Sequence, residues 1–247
     1  MMRRWQVLLG LGLVGVASLL LVPFELLSPR PMSPIAFRLL AIVNPTILTV
    51  VAVAVGGFAA SRVGLHAPLV EAWIERRSPA FVLRQQIGPA VVVAVVVAAM
   101  LVAYGLTIAP RLVAGAGAHG RLASFDLPLI PKLLYGGITE ELLTRWGLVS
   151  AFAWVGWRLS GRPERVPRAV MAGAVGAAAL LFALGHLPML FLVAPAAPAG
   201  IVAAVIVGNA LPGLLFGMLF VRDGLEAAMI AHALAHLLAT LVSGMLM

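Results

Sequence analysis

Runs of about twenty consecutive apolar residues dominate this chain and limit its fold more than any other feature. Of its 247 residues, 62% are hydrophobic and only 11% are charged. A helix needs about 20 apolar residues to cross a hydrocarbon core of ~30 Å, and inside lipid only helices or a closed barrel satisfy the backbone polar groups. The runs are continuous rather than alternating, and they are rich in Ala, Leu and Val. The sequence therefore predicts an all-α fold, a polytopic bundle of transmembrane helices.

About seven spans are predicted, and Pro-rich stretches supply natural turns at 28–34, 161–168 and 194–200. Residues 67–86 mix apolar and charged side chains, which indicates an amphipathic helix on the membrane surface. We divide the chain into residues 1–127, the N-terminal helices with this surface helix, and residues 128–247, which carry the polar motifs. The predicted spans are 5–27, 38–60, 87–109, 128–157, 169–193, 198–221 and 225–246.

The net charge of +8 comes from arginines scattered between the spans, which indicates membrane topology rather than nucleic-acid binding. With the N-terminus inside, eleven Lys and Arg residues fall on that side and five on the other, so we expect a cytoplasmic N-terminus. The apolar run at the N-terminus is longer than that of a signal peptide, and we interpret it as a retained helix. The chain has no cysteine, which excludes disulfides, thiolate metal sites and cysteine nucleophiles.

A few polar residues fall inside the predicted spans, where a charge costs at least ~2.5–3.5 kcal/mol and marks a functional candidate. Leaving aside residues near the span ends, those that we single out are Glu140, Glu141, Thr144, Arg145, His186, Asn209, His232 and His236.

The stretch EELLTR, residues 140–145, contains two adjacent acids for which we predict different roles. In a helix, Glu141 and Arg145 are four residues apart and meet on one face, so they can neutralise each other. Glu140 points about 100° away, over the turn of Gly136 and Gly137, which we expect to leave space for water or substrate. We therefore predict that Glu141 is structural and that Glu140 is free for chemistry; the alternative is a purely structural buried ion pair.

Three further features stand out in the later spans: the stretches FALGH and HALAH, and Asn209. In FALGH, Phe182 lies four residues before His186, so its ring can limit the rotation of the imidazole. In HALAH, His232 and His236 have the spacing with which two histidines on one helix can bind zinc. Asn209, near Pro212, is interpreted as a helix-packing or kink-satisfying residue.

The stretches EELLTR, FALGH and HALAH, in this order, resemble the motifs EExxxR, FxxxH and HxxxN of the CAAX-protease and bacteriocin-processing family of intramembrane proteases. The resemblance covers about residues 128–246, and HALAH departs from the pattern by having His236 where the family has asparagine. It implies that Glu140 and His186 hold and deprotonate the attacking water. It also implies that His232 and residue 236 stabilise the oxyanion, while Glu141 and Arg145 brace the site.

Two mechanisms stay open because histidine, unlike asparagine, donates a hydrogen bond only in the right tautomer or when protonated. His236 could still be an oxyanion donor, or Glu140, His186, His232 and His236 could together bind zinc. We favour the metal-free mechanism, with no cofactor.

The depths of these residues in straight spans do not agree. At 1.5 Å per residue, His186 lies ~27 Å from the inner end of its span and His232 only ~10 Å from the inner end of its own. A tilt, a later start or a broken helix is needed to bring them together.

We expect the partners to be the lipid bilayer and a membrane-associated protein or peptide substrate, and no nucleic acid. Prenylated CaaX tails, bacteriocin-type leaders and surface-protein sorting tails are all compatible substrates. The Ala-, Val-, Gly- and Arg-rich composition suggests a bacterial inner membrane. A transporter or proton relay and a non-catalytic scaffold or immunity protein are the alternative classes.

Overall fold

The computed structural model describes residues 3–24, 33–111 and 127–246, and in these ranges the chain forms nine α- or π-helical segments, the short 3₁₀ helices Leu19–Leu21 and Ala60–Val63, and no strand. The Pro-rich turn at 28–32, the end of the first predicted span at 25–27 and the boundary region at 112–126 lie outside the described residues. The helices are α1 (Arg4–Ser18), α2 (Pro34–Ala59), α3 (Pro68–Ile74), α4 (Pro79–Thr107), α5 (residues 129–159), α6 (Arg168–Leu184), α7 (Leu187–Val193), α8 (Ala199–Asp223) and α9 (Leu225–Leu246).

Six described segments are long and apolar enough to cross a membrane, which confirms the all-α polytopic fold. Helix α5, which corresponds to the predicted span 128–157, is not among these six. It carries Lys132, Glu140, Glu141 and Arg145 within 14 residues. The six segments are Arg4–Leu21, Ile35–Val63, Pro79–Arg111, Arg168–Leu192, Ala199–Asp223 and Leu225–Leu246.

Helix α5 lies at the centre of the bundle and packs against α1, α2, α6, α8 and α9. Trp146 and Leu142 on this helix are fully buried. Over Lys132–Glu140 and Leu142–Val149 it has the wide turns of a π-helix, whose hydrogen bonds join residues five apart. Its last segment, Ser150–Leu159, is α-helical.

The fifth predicted span is a broken helix. Helix α6 ends at Leu184, and a turn through Gly185 and His186 leads into α7. Pro188 has no amide hydrogen to donate to the Leu184 carbonyl, so the α6 ladder cannot continue through it. The break places His186 between two helical segments, which is one of the ways the conflict in depth could be relieved.

The segment predicted as one amphipathic helix over 67–86 is divided between α3 and α4. Proline restricts the residue before it to extended backbone and is favoured at the first helical position, so Pro79 begins a new helix. In the turn before it, Arg76 has a left-handed backbone with φ of 56°.

Several loops meet at one end of the bundle. Arg4 forms a 2.8 Å ion pair with Glu71 on α3. The Leu225 amide donates to the His66 carbonyl at 3.1 Å, and the Val70 amide donates to Glu226 at 2.9 Å. The starts of α1 and α9 and the turn between α2 and α3 therefore share one side, as the alternation of spans requires. The prediction that this side is cytoplasmic remains to be tested.

Candidate active site

The two adjacent acids of α5 have different surroundings. Glu141 is completely buried, and its Oε1 lies 3.1 Å from Arg145 Nη1 and 2.7 Å from His232 Nδ1. Glu140 is only partly buried and lines a cavity. Among the described residues its carboxylate forms no hydrogen bond or ion pair. The geometry agrees with the predicted Glu141–Arg145 pair, and His232 is a partner of Glu141 that the motif spacing did not indicate.

Arg145 is held on several sides. Its Nη2 donates to the Gly213 carbonyl on α8 at 2.8 Å. Its guanidinium carbon lies 5.3 Å from the ring centroid of Phe182 and 5.5 Å from that of Phe216. Because a buried cation must be paired and hydrogen-bonded, these contacts tie α5 to α6 and α8 around the site.

His186 is oriented by the residue four positions before it. Its Nδ1 lies 2.8 Å from the Phe182 carbonyl oxygen. The Phe182 ring meets the imidazole edge-on at 4.7 Å between centroids. Since a carbonyl oxygen only accepts, Nδ1 carries the hydrogen, and in the neutral ring Nε2 has a free lone pair. The predicted ring contact is present, and the backbone of Phe182 in addition selects the tautomer.

The two histidines of α9 lie side by side. Their rings stack with centroids 5.0 Å apart, and the two Nε2 atoms are 3.2 Å apart. His232 also stacks on Phe216 at 4.6 Å. Because the Glu141 carboxylate accepts from His232 Nδ1–H, Nε2 of a neutral His232 is an acceptor. His236 Nε2–H then donates to it.

The glycines that precede Glu140 accommodate α9. A methyl group on Gly137 would lie 2.6 Å from Ala233 Cβ, so this position is filled by the neighbouring helix. A methyl group on Gly136 would lie 3.2 Å from His236 Nε2. The prediction that both glycines leave space beside the Glu140 carboxylate is therefore wrong for Gly137, whereas Gly136 does line a cavity.

Two cavities meet at the site. The smaller, of 160 Å³, contains all four residues predicted to act on the substrate, together with Lys132 and Asn209. The larger, of 430 Å³, is a mostly apolar groove between α2, α5 and α6. Four residues line both cavities: Tyr135, Glu140, Phe182 and His186. The structure thus brings Glu140, His186, His232 and His236 around one space.

Several residues at these cavities carried no motif. Tyr135 shares the Glu140 face because residues five apart align on a π-helix, whereas the α-helical spacing used for the sequence separates them. Asn44 lines the larger cavity and Phe216 the smaller one, and neither belongs to a motif. Asn209 donates to the Val205 carbonyl at 2.8 Å, in keeping with its predicted local role beside Pro212, and it also borders the smaller cavity.

The donor set for a metal is incomplete as arranged. His232 and His236 present two adjacent nitrogens. In the described part of the chain, however, no three His, Asp, Glu or Cys side chains come close enough to hold one ion. A zinc site built from Glu140, His186, His232 and His236 would need these side chains to converge further.

Buried ionisable side chains in a bundle of membrane helices are typical of proteins that handle substrates or protons within the bilayer. Residues 122–238 match the family described as type II CAAX prenyl endopeptidase Rce1-like. This match covers just under half of the chain and supports the resemblance to the CAAX-protease family of intramembrane endopeptidases that the motifs indicated. Comparisons with curated proteins and with solved structures gave no match.

Proposed function

We propose that this protein hydrolyses a peptide bond of a membrane-associated protein or peptide, with water activated by Glu140 and His186. The observation that carries the proposal is that both side chains line the same two cavities with unused acceptors. These acceptors are the Glu140 carboxylate and His186 Nε2. A water molecule that donates one hydrogen to each would direct its oxygen at a carbonyl carbon placed between the cavities.

The reaction then proceeds in two steps. The water oxygen bonds to the carbonyl carbon as its proton passes to Glu140, and the carbonyl oxygen becomes an oxyanion. The C–N bond then breaks as the proton passes from Glu140 to the leaving nitrogen, giving a carboxylic acid and an amine. General acid–base catalysis of this kind typically contributes about 10²–10⁴-fold.

The oxyanion would be stabilised by the histidine pair of α9, in which His236 is the donor and His232 positions it. In the arrangement described above, His236 donates to His232 through the 3.2 Å contact. A substrate oxyanion is the stronger acceptor, so the His236 N–H would turn towards it while Glu141 keeps His232 in place. Loss of one oxyanion donor costs ~2.7–4 kcal/mol in other enzymes, and such donors act most strongly where water is excluded.

Glu140→Gln tests this proposal, because it keeps the shape of the side chain and removes the base. The assay uses detergent-purified protein and a quenched peptide that ends in a farnesylated cysteine–aliphatic–aliphatic–X sequence. A second quenched peptide contains a transmembrane segment without a lipid. We expect Glu140→Gln and His186→Ala to abolish cleavage while the thermal unfolding midpoint in detergent stays close to wild type. Full activity of the folded Glu140→Gln protein would reject the mechanism.

A further inference from the structure

The groove beside the site is open along the outer surface of the bundle. Leu48, Val51 and Leu181 in its walls are 45–51% exposed although they belong to spans that cross the membrane. Glu140 and His186 line the same groove. A molecule lying in the groove would therefore contact apolar walls and the proposed catalytic pair at once.

Asn44 is a polar residue in this groove that no motif marks. It lies ten residues after the start of α2, about 15 Å along the helix, and within the apolar span Ile35–Val63. Its side chain is exposed, and it forms no hydrogen bond with the described part of the chain. An amide without a hydrogen-bond partner in an apolar environment costs free energy. A molecule bound in the groove is therefore expected to supply that partner.

Three other uncharged polar side chains in the spans are satisfied by their own helix. Thr46 and Thr49, also on α2, donate to the carbonyls of Ile42 and Pro45 at 2.7 Å. Asn209 donates to the carbonyl four residues before it. The amide of Asn44 differs from these three side chains because it has no such partner among the described residues.

The chemistry of an amide identifies what it can bind. It presents an N–H donor and a C=O acceptor together, which complement the C=O and N–H of a peptide group. A lipid acyl chain has neither. The apolar walls suit apolar side chains, and Asn44 is the groove residue on α2 that can pair with the backbone between them.

We propose that the Asn44 side-chain amide hydrogen-bonds the backbone of a peptide lying in this groove and holds it beside Glu140. Asn44 is thus a substrate-positioning residue. This inference rests on the proposed function for its choice of a peptide substrate.

Asn44→Leu tests the proposal, because leucine keeps a similar volume and removes the amide. The probe is the farnesylated quenched peptide, followed by cleavage kinetics in detergent. We expect KM to rise roughly tenfold, the scale of one or two net hydrogen bonds, and kcat to stay within about twofold. Thr46→Val is the matched control: it removes a polar group at the same depth on α2 outside the groove and should leave KM unchanged. An unchanged KM in Asn44→Leu, or a loss confined to kcat, would overturn the proposal.

A binding experiment in the Glu140→Gln background identifies the hydrogen bond itself. Fluorescence anisotropy would compare the labelled peptide with versions in which each of the three backbone amides after the farnesylated cysteine is replaced in turn by an ester. One ester should weaken binding to the parent roughly tenfold and have little further effect in the Asn44→Leu variant, because coupled changes are not additive. Purely additive losses, or no peptide binding by the parent, would refute the role of Asn44.

Binding also separates this inference from the proposed function. If the Glu140→Gln protein still cleaves, the catalytic assignment fails while the ester series still decides the role of Asn44. If cleavage depends on Glu140 but Asn44→Leu binds normally, only the role of Asn44 fails.

Discussion

At the residue scale, the buried Glu141 carboxylate fixes two neighbours at once. It pairs with the guanidinium of Arg145 and accepts from the imidazole of His232. Its other oxygen, Oε2, is buried without a partner among the described residues. The cluster is therefore sensitive to loss of any member, because breaking a buried pair leaves a charge without compensation.

We expect Glu141→Ala to lower thermal stability much more than Glu140→Ala does. The first change leaves the cation of Arg145 buried and unpaired, at a typical cost of ~3–5 kcal/mol. The second removes a carboxylate that no described residue pairs with. Thermal unfolding of both variants in the same detergent checks this difference. Adding Arg145→Leu to Glu141→Leu should recover stability but not activity, since His232 also loses its acceptor; failure to recover stability would contradict the bracing role.

His236→Asn distinguishes the metal-free mechanism from the zinc alternative. An asparagine amide can donate to the oxyanion as the family's usual residue does, so we expect most activity to remain and chelators to have little effect. If His236 were a zinc ligand, the variant would lose metal and activity together. Elemental analysis of purified protein beside the cleavage assay decides: about one zinc per wild-type chain, lost in the variant, would replace the mechanism proposed here.

At the element scale, the contact between α5 and α9 sets the geometry of the histidine pair. The helices approach closely at Gly137, where Ala233 fills the space of a side chain, and at Gly136, which faces His236. Small residues at such crossings allow close packing of helices in membranes. The two glycines therefore have different consequences when enlarged.

Gly137→Ala should destabilise the bundle by about 1–3 kcal/mol, the usual cost of overpacking. Gly136→Ala should leave stability closer to wild type but lower kcat, because its methyl group would crowd His236. Gly176→Ala on α6 is the control, since nothing lies within 4 Å of the added carbon. Thermal unfolding and cleavage kinetics of the three variants test the distinction; equal effects of Gly136→Ala and Gly137→Ala would contradict it.

The sequence predicted the helices well and their departures from regularity less well. Apolar length locates spans because the bilayer has a fixed thickness, and the Glu141–Arg145 pair follows from helical spacing alone. The π-helical turns of α5 and the contact of His232 with Glu141 depend on tertiary packing, which a spacing argument does not include. Asn44 was missed because a single amide in an apolar run has no pattern to distinguish it.

At the scale of the whole molecule, the arginine-rich loops predict which side faces the cytoplasm. The absence of cysteine allows a direct test, because any introduced thiol is the only one. We expect Ser160→Cys to react with a membrane-impermeant maleimide in inverted vesicles but not in spheroplasts. Ala196→Cys, at the other end of α6 and α7, should show the opposite pattern. Reversed labelling would place the N-terminus outside.

Because Tyr135, Glu140, Phe182 and His186 border both cavities, the proposed centre faces two separate spaces of different size. In a protease with a single cleft, an arriving peptide displaces the solvent that hydrolysis consumes. Here a peptide could fill the larger groove while water is replenished from the smaller cavity, which Lys132, His232 and His236 also line. The two reactants would then not compete for one path. Compounds that fill the smaller cavity would then act as noncompetitive inhibitors with respect to the peptide.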